Sequence, residues 1–204
     1  GKDIEYNGFA HAFAGMGVQF MLFMALDAGI ALLLQRQRGL WKRLRSAPLA
    51  RHLLLAGRAL SGAFIALLIL LSGFAFGGVF FGVHIEGSFA GFLGVCCACA
   101  LMASTFGLLI AAFGKTPETT RGLAIFATLM MVMLGGGWFP SSLFPPWLQK
   151  VSLLMPTRWA INGLDAMSWR GLGFSSALGP IAALLAFAAL FTFLAIVRFR
   201  WEAD

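Results

Sequence analysis

The apolar stretches of this chain are too long and too continuous for the core of a water-soluble domain. The stretch from Leu53 to Val83 carries one charge, Arg58, and the stretch from Phe89 to Phe113 carries none. A helix needs about 20 mostly apolar residues to cross the hydrocarbon of a bilayer. Lipid offers no partners to backbone N–H and C=O groups, so only helices or closed barrels can span it. Barrel strands alternate apolar and polar residues, and these runs do not. The chain is 60% hydrophobic and 11% charged, against roughly 25% charged in a soluble domain. It reads as an all-α integral membrane protein, with residues 1–204 forming one membrane domain.

Five membrane-spanning helices are predicted, over residues 9–34, 53–83, 89–113, 123–138 and 178–197. Lys and Arg placement orients them. The linker at 35–52 holds Arg36, Arg38, Lys42, Arg43, Arg45 and Arg51, with no acid. Arg58, Lys115, Arg121, Arg198 and Arg200 fall on the same side, leaving Lys2, Lys150, Arg158 and Arg170 for the other. Cytoplasmic loops carry the excess of cations, so the linker is expected in the cytoplasm and the N-terminus outside. The same rule accounts for the net charge of +7 better than nucleic-acid binding does. The partner it implies is the lipid bilayer, with no nucleic acid. The first eight residues, GKDIEYNG, are polar and lack a secretory signal pattern. An outside N-terminus without such a signal predicts one more span ahead of residue 1, in a six-span parent.

The outer stretch at 139–173 and its approach from Gly135 contain four of the chain's seven prolines and four of its six tryptophans. Pro140, Pro145, Pro146 and Pro156 cannot sit inside a regular helix, because they lack the amide donor. Trp138, Trp147, Trp159 and Trp169 suit the headgroup level, where an amphipathic ring has one wet end. Two short helices, Pro146–Leu154 and Pro156–Met167, are predicted, each opening on proline. Irregular backbone at that depth must be shielded by protein or water, so this re-entrant segment is expected to cap a pathway.

Within the linker, Leu40, Trp41 and Leu44 share one face at helical spacing, with most cations elsewhere. Gly39 separates this helix from the span before it, and Pro48 ends it. Two readings stand: an interfacial helix held by anionic lipid, or a helix that inserts Trp41 and Leu44 into a cytoplasmic partner. Asp27 lies within the first span, about 12 Å before Gln35 at helical rise. An acid at that depth marks a functional site by default. It is expected either to pair with Arg58 or to line a cavity open to the cytoplasm.

Other features carry less. Cys96, Cys97 and Cys99 lack the spacing and partner ligands of a zinc site and read as small packing residues. Gly114-Lys115-Thr116 resembles the end of a phosphate loop. The motif needs glycine at 109, where leucine stands, and a preceding strand, so any ATP must be bound by another polypeptide. Gly73/Gly77 and Gly78/Gly82 form small-xxx-small pairs that permit close helix approach. No catalytic triad, paired carboxylates or metal cluster is evident, and the chain is not read as an enzyme.

Two segments together resemble the membrane permeases of type 2 ABC exporters. One is Arg36–Leu49, a basic residue, Arg38-Gly39, then Leu40-Trp41 and a Pro48-Leu49 close. The other is the outer segment with its glycines, Phe139-Pro140, Pro146-Trp147-Leu148 and Pro156-xx-Trp159. The resemblance implies a transport subunit that dimerises, as a homo- or heterodimer, and pairs with cytoplasmic ABC ATPase subunits. ATP and Mg would reside on those subunits, with no cofactor on this chain. Arg36, Arg38, Gly39, Leu40, Trp41, Leu44 and Pro48 become the ATPase-docking coupling helix. Phe139, Pro140, Pro146, Trp147, Pro156 and Trp159 become an outer re-entrant gate. Relatives carry acids where this chain has Gln35, Gln37 and Lys42, so its docking surface is unusually basic. The expectation is an ATP-driven exporter of an amphipathic or hydrophobic cargo, drug-, lipid- or polyketide-like, in the bacterial inner membrane. Two rivals are an ion-coupled secondary transporter using Asp27, which predicts internal repeats, and a non-transporting membrane scaffold.

Overall fold

The computed structural model describes residues 6–38 and 51–198, with backbone alone for 51–55. In order these form α1 (Gly8–Gln37), α2 (Arg51–Phe81), α3 (Phe89–Phe113), α4 (Pro117–Leu134), a 3-10 turn (Ser141–Leu143), α5 (Pro146–Ser152), α6 (Pro156–Met167) and α7 (Ser175–Arg198). No strand occurs among the described residues. Local chemistry sets several boundaries. The Asn7 side chain accepts from the Ala10 amide at 3.0 Å, and Ser88 accepts from Gly91 at 3.2 Å, each filling an orphan donor of a first turn. α4, α5 and α6 open on Pro117, Pro146 and Pro156, where a missing amide costs nothing.

Four helices are long and apolar enough to cross a membrane: α1, residues 56–81 of α2, α3 and α7. The fourth predicted span, 123–138, corresponds to α4, which begins six residues earlier and stops at Leu134. Proline at its first position starts the helix within a polar turn. Three glycines end it, with Gly136 at φ +86°, a conformation that side-chain-bearing residues avoid. At 18 residues α4 is about 27 Å long, slightly under the hydrocarbon thickness of about 30 Å.

α3 is the hub. In its central window 83% of residues are buried, against 22% for α2 and 11% for α7. α1, α2, α6 and α7 all pack on it, while α4 lies along α1 and α6. The outward faces of α2 and α7 carry exposed Phe64, Leu68, Val79, Phe193 and Val197, as lipid contact requires. At one end the α2–α3 loop is tied to the outer segment: Glu86 N–H donates to the Ser168 carbonyl at 3.0 Å, and Gly87 to Met167 at 2.9 Å. At the other end α1 and the α3–α4 corner meet. This pairing of ends agrees with the split of cations between the two faces.

The close approaches are not at the predicted glycine pairs. Gly73 meets nothing within 4 Å, Gly77 faces the Phe13 ring, and Gly82 serves a turn at φ +66°. Instead α1 and α3 lie backbone to backbone: a Cβ on Gly29 would run into the Gly107 carbonyl, and one on Gly107 into the Ala25 carbonyl. Gly15 meets the Gly137 backbone in the same way. On its other sides α3 presents Gly94 to Ile181 and Ser104, whose hydroxyl donates to the Ala59 carbonyl at 2.7 Å. Of the three cysteines, Cys96 and Cys99 are buried packing residues as expected, whereas Cys97 is exposed.

Gly29→Ala and Gly107→Ala are expected to destabilise the folded protein by about 1–3 kcal/mol each through overpacking against backbone. Gly73→Ala should be neutral or stabilising by up to about 1 kcal/mol. Thermal unfolding in detergent measures both.

Candidate transport and coupling sites

At the inner end, the last turn of α1 clamps the α3–α4 corner. Arg36 donates from Nη2 to the Gly114 carbonyl at 3.1 Å and from Nη1 to the Ala111 carbonyl at 3.4 Å. Gln37 Nε2 donates to the Lys115 carbonyl at 2.8 Å. A cation on the unsatisfied carbonyls of a helix C-terminus is favourable in charge as well as in hydrogen bonding. Gly114 and Lys115 therefore form a helix corner, not a phosphate cradle. Of the residues expected to dock the ATPase, Arg36 is turned into this corner, and Arg38 is exposed at the end of α1. Gly39, Leu40, Trp41, Leu44 and Pro48 lie outside the described residues.

The intramembrane charges are arranged differently from the expected Asp27–Arg58 pair. Asp27 forms an ion pair with Arg121 of α4, and Arg58 donates to Gln35 Oε1 at 2.7 Å. The reason lies in helical phase. Gln35 looks across to α2, while Asp27, about two turns earlier, sits on the side of α1 within reach of Arg121 of α4. Both side chains of the pair are exposed, 64% for Asp27 and 54% for Arg121. Asp27 shares an exposed stripe of α1 with Phe9, Met16 and Phe20. Arg58 instead lines a cavity of about 110 Å³ beside Gly29, Gly62 and Ser104.

At the outer end, the predicted gate residues divide into two groups. Pro156 is buried, and half-buried Trp159 donates from Nε1 to the Leu153 carbonyl at 2.9 Å. The Thr157 hydroxyl donates to the Met131 carbonyl, tying α6 to the end of α4. Pro140 leads the 3-10 turn and Pro146 opens α5. Phe139 and Trp147, by contrast, are 63% and 66% exposed and point away from the bundle, as interfacial anchors do. Trp138 Nε1 donates to Gln19 Oε1 at 2.9 Å, closing the segment over α1.

One pair was not visible in the sequence. His11 Nδ1 of α1 lies 2.7 Å from Asp165 Oδ2 of α6, with side chains only 6% and 8% exposed. Tyr6 stacks at a tilt on His11 and edge-on against Trp169, at 5.9 and 5.4 Å. Burial lowers the Arg158 guanidinium from its ordinary pKa; nearby Arg170 adds to this and Asp165 opposes it. The signal that would have flagged the pair is an acid on the buried, apolar side of an amphipathic 12-residue helix.

The ABC-2 type transporter family matches residues 5–169. The chain is 29% identical over 189 residues to the linearmycin resistance permease protein LnrN of Bacillus subtilis, covering 93% of this chain and 49% of that protein. It is 30% identical over 175 residues to the inner membrane transport permease YhhJ of Escherichia coli, covering 84% and 46%. A permease of the same name in Shigella flexneri is similar to the same extent. The chain thus spans about half the length of the relatives it matches. With an apolar helical bundle of membrane-spanning length and a family match covering most of it, the chain belongs to the ABC-2 type transporter family and is an integral membrane protein.

Proposed function

We propose that this chain is the permease part of an ATP-driven exporter in the bacterial inner membrane, moving an amphipathic or hydrophobic cargo outward. The observation that carries the reading is the exposed Asp27–Arg121 pair on a face of α1 otherwise made of Met16 and aromatic rings. Charge at membrane depth is costly against lipid, so this face is covered by water or by a second permease. A surface that is apolar along its length and charged at one level suits a molecule that is itself amphipathic. The name of the Bacillus relative, a resistance permease, supports export of a noxious compound. That of the Escherichia coli relative supports the inner membrane.

In this reading α4 also crosses, bringing the spans in this chain to five, with its proline-led first turn near the cytoplasmic headgroups. The linker at 35–52 docks an ABC ATPase through Trp41 and Leu44, and ATP and Mg stay on that subunit. ATPase closure pushes on the linker and tilts α1 and α2, opening a route beneath the outer segment. Two permeases form the complete path. Such coupling requires the ATPase to bind the two permease states with different affinity. The secondary-transport alternative is weakened because the Asp27 carboxylate is already paired with a guanidinium.

Trp41→Ala and Leu44→Ala are expected to weaken ATPase binding to the full-length permease about 10- to 100-fold, as anchor residues do. Cargo-stimulated ATP hydrolysis in proteoliposomes should fall with it, and unchanged binding and coupling would overturn the docking assignment. Asp27→Asn should reduce ATP-dependent export several-fold, while Asp27→Arg with Arg121→Asp restores part of it. Transport that persists without ATP and vanishes in Asp27→Asn would favour ion coupling.

A further inference from the structure

We infer that His11 and Asp165 are positioning residues, a breakable latch that seats the outer helix α6 on α1. For its consequence in transport the inference rests on the exporter reading above; the latch itself is a property of the fold. The two side chains are 154 positions apart and meet at 2.7 Å in a nearly closed site. Beside them the contact between α1 and the outer segment is smooth, glycine on glycine at Gly15 and Gly137. The ion pair adds a directional tie beside that close contact.

Three features suit this pair to opening rather than to a permanent tie. Asp165 Oδ1 is buried without a hydrogen-bond partner, and the second ring nitrogen of His11 has the Gly136 backbone as its only neighbour of that kind. A partly satisfied polar site is less firmly held than a complete network. Next, α6 carries a replacement cation. Arg158 lies seven residues before Asp165, hence on the same face of the helix. Its Nε and Nη1 are buried without partners. Removing one member of a buried pair is costly because the other charge is stranded; here the Arg158 guanidinium is close enough to act on Asp165 by its charge and lessens that cost. Last, there is room for α1 to move. A cavity of about 510 Å³ adjoins His11, bounded by Tyr6, Met16, Gln19, Phe20 and Trp138.

The charged and titratable groups facing the pair are Tyr6 from the segment before α1, Arg158 on α6, and Arg170 just after it. Of the two latch residues and these three, histidine has the ordinary titration range nearest neutrality. An imidazolium holds the carboxylate by charge and hydrogen bond, and a neutral imidazole by a hydrogen bond at most, so the latch weakens as pH rises. Arg158 and Arg170 keep their charge throughout and favour the released state.

The test uses the full-length permease in sealed right-side-out vesicles, with Cys96, Cys97 and Cys99 replaced by alanine. Ala160→Cys on α6 is the reporter, since Ala160 is fully buried. Labelling by a membrane-impermeant maleimide is expected to be slow at about pH 5.5 and at least about tenfold faster at about pH 8.5, after correction for thiolate fraction with a free thiol. Asp165→Asn and His11→Gln should be fast at both pH values, and the exchange of His11→Asp with Asp165→His should be slow again. Labelling that ignores pH in the unsubstituted pair overturns the latch, whether or not the variants fold. For the transport consequence, His11→Cys and Asp165→Cys are joined by a short reducible crosslinker. Export should stop and return on reduction, and export that continues through the crosslink overturns the role in coupling. A permease that neither binds the ATPase nor exports defeats the exporter reading and leaves the labelling result standing.

Discussion

Everything in this bundle is built around the backbone-to-backbone contact of α1 and α3 at Gly29 and Gly107. Lipid tails are as apolar as leucine, so membrane helices gain little from hiding apolar side chains from lipid. They are held by close packing and by hydrogen bonds between helices. α3 meets that demand on every side. It offers glycine to α1, Gly94 to Ile181 of α7, and the Ser104 hydroxyl to the Ala59 carbonyl of α2. Gly163 of α6 is pressed between Val95 of α3 and Pro180 of α7. The result is a tight inner unit. α4 stands apart from it, burying only Ala124, Thr128 and Val132 among its residues.

The helical stretches could be read in advance because length and hydropathy decide them before any tertiary contact. α3 coincides with the predicted 89–113, a run without a charge. The short outer helices were legible because Pro146 and Pro156 mark where a helix can begin. The helix at the fourth predicted stretch starts earlier, at Pro117, than hydropathy placed it. Hydropathy discounts the polar turn at Glu118–Arg121, whereas proline at the first position starts a helix there regardless. Small-residue spacing was a poor guide for a similar reason. It says that a helix can be approached closely, but not by which neighbour, and Gly29 and Gly107 belong to different helices.

The charges were the hardest part to read, since their meaning depends on the face each helix turns to its neighbours. Asp27 was legible as an intramembrane acid, but its partner was not. The choice between Arg58 and Arg121 turns on the phase of α1 relative to α2 and α4. His11 and Asp165 are individually unremarkable and 154 residues apart, and only the folding of α6 against α1 brings them together. The gate residues divided by burial in a way that proline and tryptophan counts cannot express: Pro156 and Trp159 pack inward, while Phe139 and Trp147 face out.

α1 is the one described element that takes part in both ends of the bundle through charged side chains. Its 30 residues form a rod about 45 Å long, with Arg36 on the carbonyls of the α3–α4 corner and His11 on Asp165 of α6. Arg36 bears on the basic character of the linker as well. A cation there is used by the fold itself, because the carbonyls that end α3 carry partial negative charge and contain no side-chain cap of their own. An acid in place of Arg36 would repel those carbonyls and loosen the corner that sets the inner end of the rod. Part of the linker's one-sided charge is thus a requirement of helix termination, and the rest remains for the surface beyond it.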